Sequence, residues 1–266
     1  MTRSQIIISI SGLLLVILLF SLPKVVVDND EDRIDNSEED IHSEENRDDP
    51  QLKASIQSLK DSLSISTETE KSAIFADSLA ESYRALNHFD SVALVYEESF
   101  KKSSQPEMLK KAADAYFEAY TFAVEDNKRK SMADQAKKYY AEILKKNSGD
   151  LEAKTNLGML YVGTENPMQG IGLLREVLES DPSNYGALYN MGILSLQSNQ
   201  VSKAIERFED LVEAYPESSE GRFYLGLSYL QAGENEKART QFEIVKETDS
   251  DPSVQATVDT YLEEIE

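Results

Sequence analysis

The sequence predicts an all-α fold: a right-handed α-solenoid of helix–turn–helix hairpins, preceded by a single N-terminal transmembrane helix and a disordered acidic linker. Three observations predict it. Leu151 to Pro252 repeats itself at a fixed offset: Gly158, Gly192 and Gly226 fall in one column, Gly170, Ala204 and Ala238 in a second, and Leu174, Phe208 and Phe242 in a third. From Ile6 to Leu22 no residue carries a charge. Between these two regions, more than half of positions 28–50 are Asp or Glu.

The first element, 1–27, is expected to be a membrane anchor. An uncharged run from Ile6 to Leu22, dominated by Ile, Leu, Val and Phe, reaches the short end of what spans a bilayer, about 17–25 residues. Lys24 can snorkel, and Val25, Val26 and Val27 lengthen the run. The run exceeds the roughly 7–15 apolar residues of a signal peptide, and no small-x-small cleavage site follows it. Arg3 precedes the segment and acid follows it, so the positive-inside rule puts the N-terminus in the cytoplasm. The expected localisation is the inner (cytoplasmic) membrane, single-pass, with the repeats on the periplasmic side. The alternative is secretion to the periplasm after cleavage.

Residues 28–50 read as a linker, because so acidic a stretch cannot bury enough apolar surface to fold. Asp28, Asp30, Asp32, Asn36 and Glu39 fall on positions 1, 3, 5, 9 and 12 of an EF-hand loop. Arg33 stands where that loop needs glycine, however, and no amphipathic helices flank it. A solvated spacer is the better reading.

From 51 to 266 the pattern is helical throughout. Leu52, Ile56, Leu59 and Leu63 share one face and predict a capping helix over 51–64. A divergent hairpin follows at about 73–106, with Leu79, Ala80 and Tyr83 on its first helix and Val92, Tyr96 and Ser99 on its second. The next unit, 107–150, is longer than the period, with a charged turn at 125–130. It reads as an insertion tolerated at a hairpin tip.

Three regular units come next, at about 151–184, 185–218 and 219–252. In the first of them the apolar or small positions 153, 157, 160, 161 and 162, then 170, 171, 174, 177 and 178, keep the 3–4 spacing of a helix face. A mid-helix glycine costs roughly 1 kcal/mol against alanine, so three at one register imply close approach of helices. Pro182 and Pro216 close two of the units, since proline cannot continue a helix. Val254, Val258, Leu262 and Ile265 predict a C-terminal capping helix over 253–266, with Ser253 as its N-cap.

These columns and their spacing resemble the tetratricopeptide repeat, a helix–turn–helix unit of about 34 residues. The resemblance implies stacked hairpins whose first helices line a concave surface. Carried onto this sequence, the family's groove positions fall on Glu152, Thr155, Met159 and Val162, then Tyr189, Ile193, Leu196 and Gln197, then Glu220, Phe223, Leu227, Leu230 and Gln231. The expected peptide-binding groove is therefore apolar and aromatic, centred on Met159, Tyr189, Ile193, Phe223 and Leu227. Asn156 and Asn190 match part of the terminal-carboxylate clamp of chaperone-binding members, but the clamp's basic residues are missing.

Composition narrows the function further. There is no cysteine, and the net charge of −22 argues against nucleic acid or anionic lipid as the main partner. The two histidines, His42 and His88, have no neighbours that would make a nucleophile–base pair or a metal cluster. No catalytic residue, metal or cofactor is expected. The chain reads as a membrane-tethered, non-enzymatic scaffold that binds a protein or peptide partner within a cell-envelope complex. By layout it is similar to bacterial inner-membrane repeat proteins that assist the secretion translocon or cofactor maturation. The alternatives are a periplasmic holdase-type chaperone or translocon-associated subunit, and a spacer that self-associates as a homo-oligomer.

Overall fold

A computed structural model describes residues 50–66 and 68–265. Among the described residues it contains twelve helices, all within the unit His42–Glu266. They are α1 (Pro50–Ile65), α2 (Thr69–Arg84), α3 (Phe89–Ser103), α4 (Pro106–Phe122), α5 (Asp126–Lys146) and α6 (Leu151–Val162). The remainder are α7 (Pro167–Ser180), α8 (Tyr185–Gln197), α9 (Val201–Ala214), α10 (Ser219–Gln231), α11 (Asn235–Thr248) and α12 (Pro252–Ile265). No strand occurs among the described residues. Each helix packs on the next in sequence, and α8 also touches α6 and α10 directly. Five hairpins thus stack in order, α2/α3 to α10/α11, with α1 and α12 at the ends.

The expected inner-membrane localisation is corrected by this architecture. Among the described residues no helix is long and apolar enough to cross a membrane. The longest of them, α5, has 21 residues, but charges run along it from Asp126 to Lys146. The run on which the anchor was expected, 6–22, lies outside the described residues, as do the acidic stretch 28–49 and the EF-hand-like pattern within it.

Helix starts follow a local rule. Asp150, Asn184 and Ser218 recur at the repeat offset, and their side chains accept hydrogen bonds from the backbone N–H of Ala153, Ala187 and Gly221, at 3.0, 3.1 and 3.0 Å respectively. Each satisfies a donor that a helix N-terminus leaves without a partner. The last helix differs from expectation. Its cap is Asp251, which accepts from Ser253 N–H at 2.7 Å and Val254 N–H at 3.3 Å, so Ser253 lies inside the first turn and is not the cap. Pro106 and Pro167 also stand at helix starts, where the missing N–H costs nothing.

Inside the hairpins the columns find their reasons. A β-carbon on Gly192 would stand 2.5 Å from the Phe208 ring, and one on Gly226 would stand 2.7 Å from the Phe242 ring. Both phenylalanines are fully buried, and each fills the space its glycine leaves. In α6/α7 the plug is the smaller Leu174, and there the two backbones come together at Gly158 and Gly170.

The long second unit departs from the turn expected at 125–130. Residues 126–130 are helical, and the connection is only Ala123, Val124 and Glu125. Arg129 closes it by donating from Nε and Nη2 to the Ala123 carbonyl at 3.0 and 2.8 Å. Lys128 pairs with Asp90 at 2.7 Å and Lys130 with Glu165 at 3.5 Å, so the extra length reaches the turns on both sides.

Candidate functional site

The first helices of the hairpins are α2, α4, α6, α8 and α10, and the positions expected to face a partner lie on the last three of them. Their contacts change character along the stack. In the N-terminal half they are ionic. Arg84 on α2 donates from Nε to both oxygens of Glu118 on α4, at 3.1 and 3.0 Å. Lys111 on α4 holds Asp77 on α2 at 2.8 and 2.9 Å, and Lys110 pairs with Glu152 on α6. The bidentate guanidinium–carboxylate pair fixes geometry as well as charge. Arg84–Glu118 and Asp77–Lys111 each join positions one repeat offset apart, so the offset itself was the signal that sequence reasoning did not use.

In the C-terminal half the same face is aromatic. Tyr185 stacks with Tyr189 at 6.2 Å, Tyr189 meets Tyr224 edge-on at 5.5 Å, and Tyr224 meets Phe223 edge-on at 5.5 Å. Phe223 continues to Phe242 and to Tyr261 on α12, both at 5.9 Å. Such offset and edge-to-face pairs match the ring quadrupoles and add roughly 0.5–1.5 kcal/mol each. Tyr185, Tyr224 and Tyr261 complete the row and were missed. Tyr185 and Tyr261 lie outside the family's groove positions, and Tyr224 is the neighbour of one.

Tyr189, Ile193, Phe223 and Leu227 are half-buried and pack on the apolar cluster formed by Phe208, Leu225, Phe242 and Val258 with their neighbours. Each therefore shows one side outward and uses the other as core. Met159, on α6, is half-buried and lies apart from that cluster. Burial pushes the Tyr189 phenol up from its usual range, and hydrogen bonding with Glu220 and Tyr224 adds to this. Tyr185 donates to Glu220 at 3.0 Å, and its oxygen accepts from the Ser218 hydroxyl at 3.0 Å.

Several projected positions are occupied within the chain. Thr155 is buried, with its hydroxyl donated to the Leu151 carbonyl at 2.8 Å. Leu196 and Leu230 pack on the same cluster as Tyr189. Asn156 donates to the Tyr140 hydroxyl at 3.0 Å, and Asn190 to the Gly186 carbonyl at 2.8 Å. Neither asparagine side chain has that amide hydrogen to spare for a terminal carboxylate.

The aromatic row opens at one end. Between α10 and α12 lies a cleft of about 430 Å³, walled by Phe223, Tyr224 and Val254 and rimmed by Glu220 and Asp249. Apolar walls under a carboxylate rim accept an apolar side chain and favour a cation beside it. No group of three or more metal-ligating side chains gathers anywhere among the described residues. His88 sits in the turn before α3, its ring 6.3 Å from that of Tyr83.

Residues 189–252 match the family model of the tetratricopeptide repeat. No curated protein matches the chain. Among solved structures the chain is similar to a tetratricopeptide repeat protein from Parabacteroides merdae ATCC 43184, at 17% identity over 84% of this chain and 86% of that one, with a TM-score of 0.56. It is similar to BtubC from P. vanneervenii at 16% identity over 79% and 93% of the two chains, with a TM-score of 0.55. A thermophilic repeat protein from Thermus thermophilus matches at 17% identity over 69% and 95%, with a TM-score of 0.53. At these identities the likeness is one of fold. The repeat is thus matched over 189–252, and the likeness to these solved structures carries the same helical-hairpin fold through the helices before it.

Proposed function

We propose that the chain is a non-enzymatic interaction scaffold that holds an apolar segment of a partner protein, as a helix or an extended peptide, on the first-helix face of its last three hairpins. Met159, Tyr189, Ile193, Phe223 and Leu227 are its contact residues. The observation that carries this reading is the aromatic row from Tyr185 to Tyr261, half-buried along its length and opening into the cleft beside Phe223. Rigid aromatic side chains supply contact area at low entropic cost, and half-burial holds them in place before a partner arrives. The carboxylates of Glu220 and Asp249 at the cleft rim favour a segment whose apolar anchor is flanked by lysine or arginine.

The test is an array of partner-like peptides carrying one aromatic or aliphatic anchor, with basic, neutral or acidic flanks. Binding is compared between the native chain and Phe223→Ala after helicity and melting of both are matched. The expected outcome is preference for basic flanks and a loss of about tenfold or more in Phe223→Ala, the size of one anchor residue. Equal binding by both proteins would move the site off this face. Binding without regard to sequence or flank would instead make the chain a holdase.

A further inference from the structure

A second cleft, of about 300 Å³, lies between α7 and α9 over the C-terminal half of α8. Its floor is α8, with Val162 and Gln197 of the projected groove positions at its edge, but no member of the aromatic row from Tyr185 to Tyr261 lines it, and its cations stand on the second helices of the third and fourth hairpins. Ile171 and Leu194 make it partly apolar, while Arg175, Lys203 and Arg207 all line it and no carboxylate does. In a chain of net charge −22 that grouping is out of keeping with the rest of the surface. Elsewhere basic side chains commonly sit on acidic partners, as Arg84 does on Glu118 and Lys111 on Asp77. Among the described residues, none of these three cations makes an ion pair: Lys203 donates to Gln200 at 2.7 Å, and Arg207 to the Ser195 hydroxyl at 3.0 Å and the Lys203 carbonyl at 3.1 Å.

The grouping does not follow from the repeat. One offset beyond Arg175 stands Glu209, whose carboxylate takes the Tyr229 hydroxyl, and one offset beyond Arg207 stands Gln241. At this junction two guanidinium groups and an ammonium line one cleft. Arg207 is half-buried and held by Ser195, itself buried on α8. Desolvation weighs most against its charge; Glu206 on its own helix opposes this, more strongly than Arg175 adds to it, and Asp210 also favours the charge, though neither carboxylate lines the cleft. Clustered like charges are costly until an anion joins them, and a guanidinium fork suits two oxygens of one group.

From this geometry we infer that the cleft at Arg175, Lys203 and Arg207 is an oxyanion-binding site, taking a carboxylate or phosphate carried on a peptide whose neighbouring apolar residue lies on Ile171 and Leu194. It shares no residue with the aromatic row or the cleft beside Phe223, so the scaffold has two recognition sites of opposite character, one with an acidic rim and one basic.

The experiment is calorimetric titration of the full chain at low ionic strength with three probes. They are inorganic phosphate, a blocked glutamate–leucine peptide, and the same peptide with phosphoserine in place of one glutamate. The expected result is that at least one peptide binds more tightly than inorganic phosphate. That binding weakens about tenfold or more in Arg175→Gln/Lys203→Gln, and weakens further with salt, since the charges are only partly buried. Tighter binding of the phosphoserine peptide assigns a phosphate, and tighter binding of the glutamate peptide assigns a carboxylate. Both substituted residues are exposed, so the variant is expected to keep native helicity. Arg207→Lys, which keeps the charge and loses the fork, gives an intermediate loss. Phe223→Ala leaves this binding intact whether or not the first-helix face proves to be a site. No binding of either peptide, no gain of either over inorganic phosphate, binding unchanged in the double variant, or loss of binding in Phe223→Ala would each overturn the inference.

Discussion

The carbonyl oxygen of Gly158 lies 2.2 Å from the place a β-carbon on Gly170 would occupy, and a β-carbon on Gly158 would lie 3.1 Å from the carbonyl oxygen of Gly170. The two helices of the third hairpin therefore touch backbone to backbone. In the next two hairpins the same contact is made differently, by a phenylalanine ring set against a glycine. The single column of small residues thus serves two packing solutions, chosen by the size of the plug one helical turn beyond Gly170, Ala204 or Ala238.

This predicts opposite signs for neighbouring substitutions on α7. Gly170→Ala forces a β-carbon into a backbone carbonyl and is expected to destabilise by about 1–3 kcal/mol, the usual cost of overpacking. Gly172→Ala, where nothing stands within 4 Å, is expected to stabilise by about 0.5–1 kcal/mol through helix propensity alone. Chemical denaturation of both variants checks the pair; a loss at both positions would mean that α7 is not tolerant even on its open side.

The ring-in-glycine contact predicts coupling. Gly192→Ala places its methyl 2.5 Å from the Phe208 ring, which is fully buried and cannot swing away. Phe208→Leu, the residue type found at the matching position of the third hairpin, makes room. The double variant is expected to be more stable than the sum of the single losses allows, by about 0.5–3 kcal/mol. A double-mutant cycle measured by denaturant midpoint reads this directly, and additivity would refute the contact.

Two carboxylates of the N-terminal hairpins predict opposite pH slopes. Burial pushes the Asp114 carboxyl up from its usual range, and Glu152 and Asp150 push the same way, against the Tyr140 hydroxyl that donates to it at 2.7 Å. Its folded-state value lies above the unfolded one, so the stability it contributes is present below about pH 3.9 and is lost as pH rises through the folded value. Asp114→Asn is expected to gain on the native chain over that window.

Glu97 behaves in the other sense. Burial disfavours its charge, but hydrogen bonds from Tyr139 at 2.6 Å and Tyr116 at 2.9 Å, with Lys101 at 3.0 Å, outweigh this and hold its carboxyl below the usual range. The stability it contributes is present above about pH 4.3 and is lost as pH falls through the folded value. Glu97→Gln is expected to lose most near neutral pH and to converge on the native chain in acid. Melting curves of the two variants across about pH 3 to 7 check both slopes, and parallel curves would refute them.

The cap column gives a further prediction. Asp150→Ala, Asn184→Ala and Ser218→Ala are each expected to cost about 1 kcal/mol, because each strips an acceptor from the first turn of a first helix. Losses that add across the three sites would show that the helix starts act independently.

What was legible in the sequence was whatever the repeat offset brings back. The glycine, alanine and phenylalanine columns revealed helical hairpins and their close crossings, since a costly mid-helix glycine recurs at one register only where a backbone or a ring must approach. Some of the candidate surface was legible too. Tyr189 and Phe223 do lie together on the aromatic row, though only through Tyr224, which the family's groove positions pass over. The offset also held information that column-by-column reading left unused. The Asp150, Asn184 and Ser218 caps are chemically unlike, and in the Arg84–Glu118 and Asp77–Lys111 pairs opposite charges occupy equivalent positions, so neither appears as a repeated letter.

The sequence by itself determined the hairpin period, the helix-forming pattern of each unit and the residues that plug them, because these are set by contacts within one repeat or between neighbours in sequence. Tertiary structure alone decided how the surfaces divide. Whether a first-helix position faces outward or closes on the next hairpin depends on which side chain the neighbour offers. Thr155 became buried, Glu152 was taken by Lys110, and Tyr189 stayed half-open. The basic cleft is the same case in sharper form: Arg175, Lys203 and Arg207 are scattered over two helices and match no column, and only the packing of α7 and α9 across α8 brings their charges to one place.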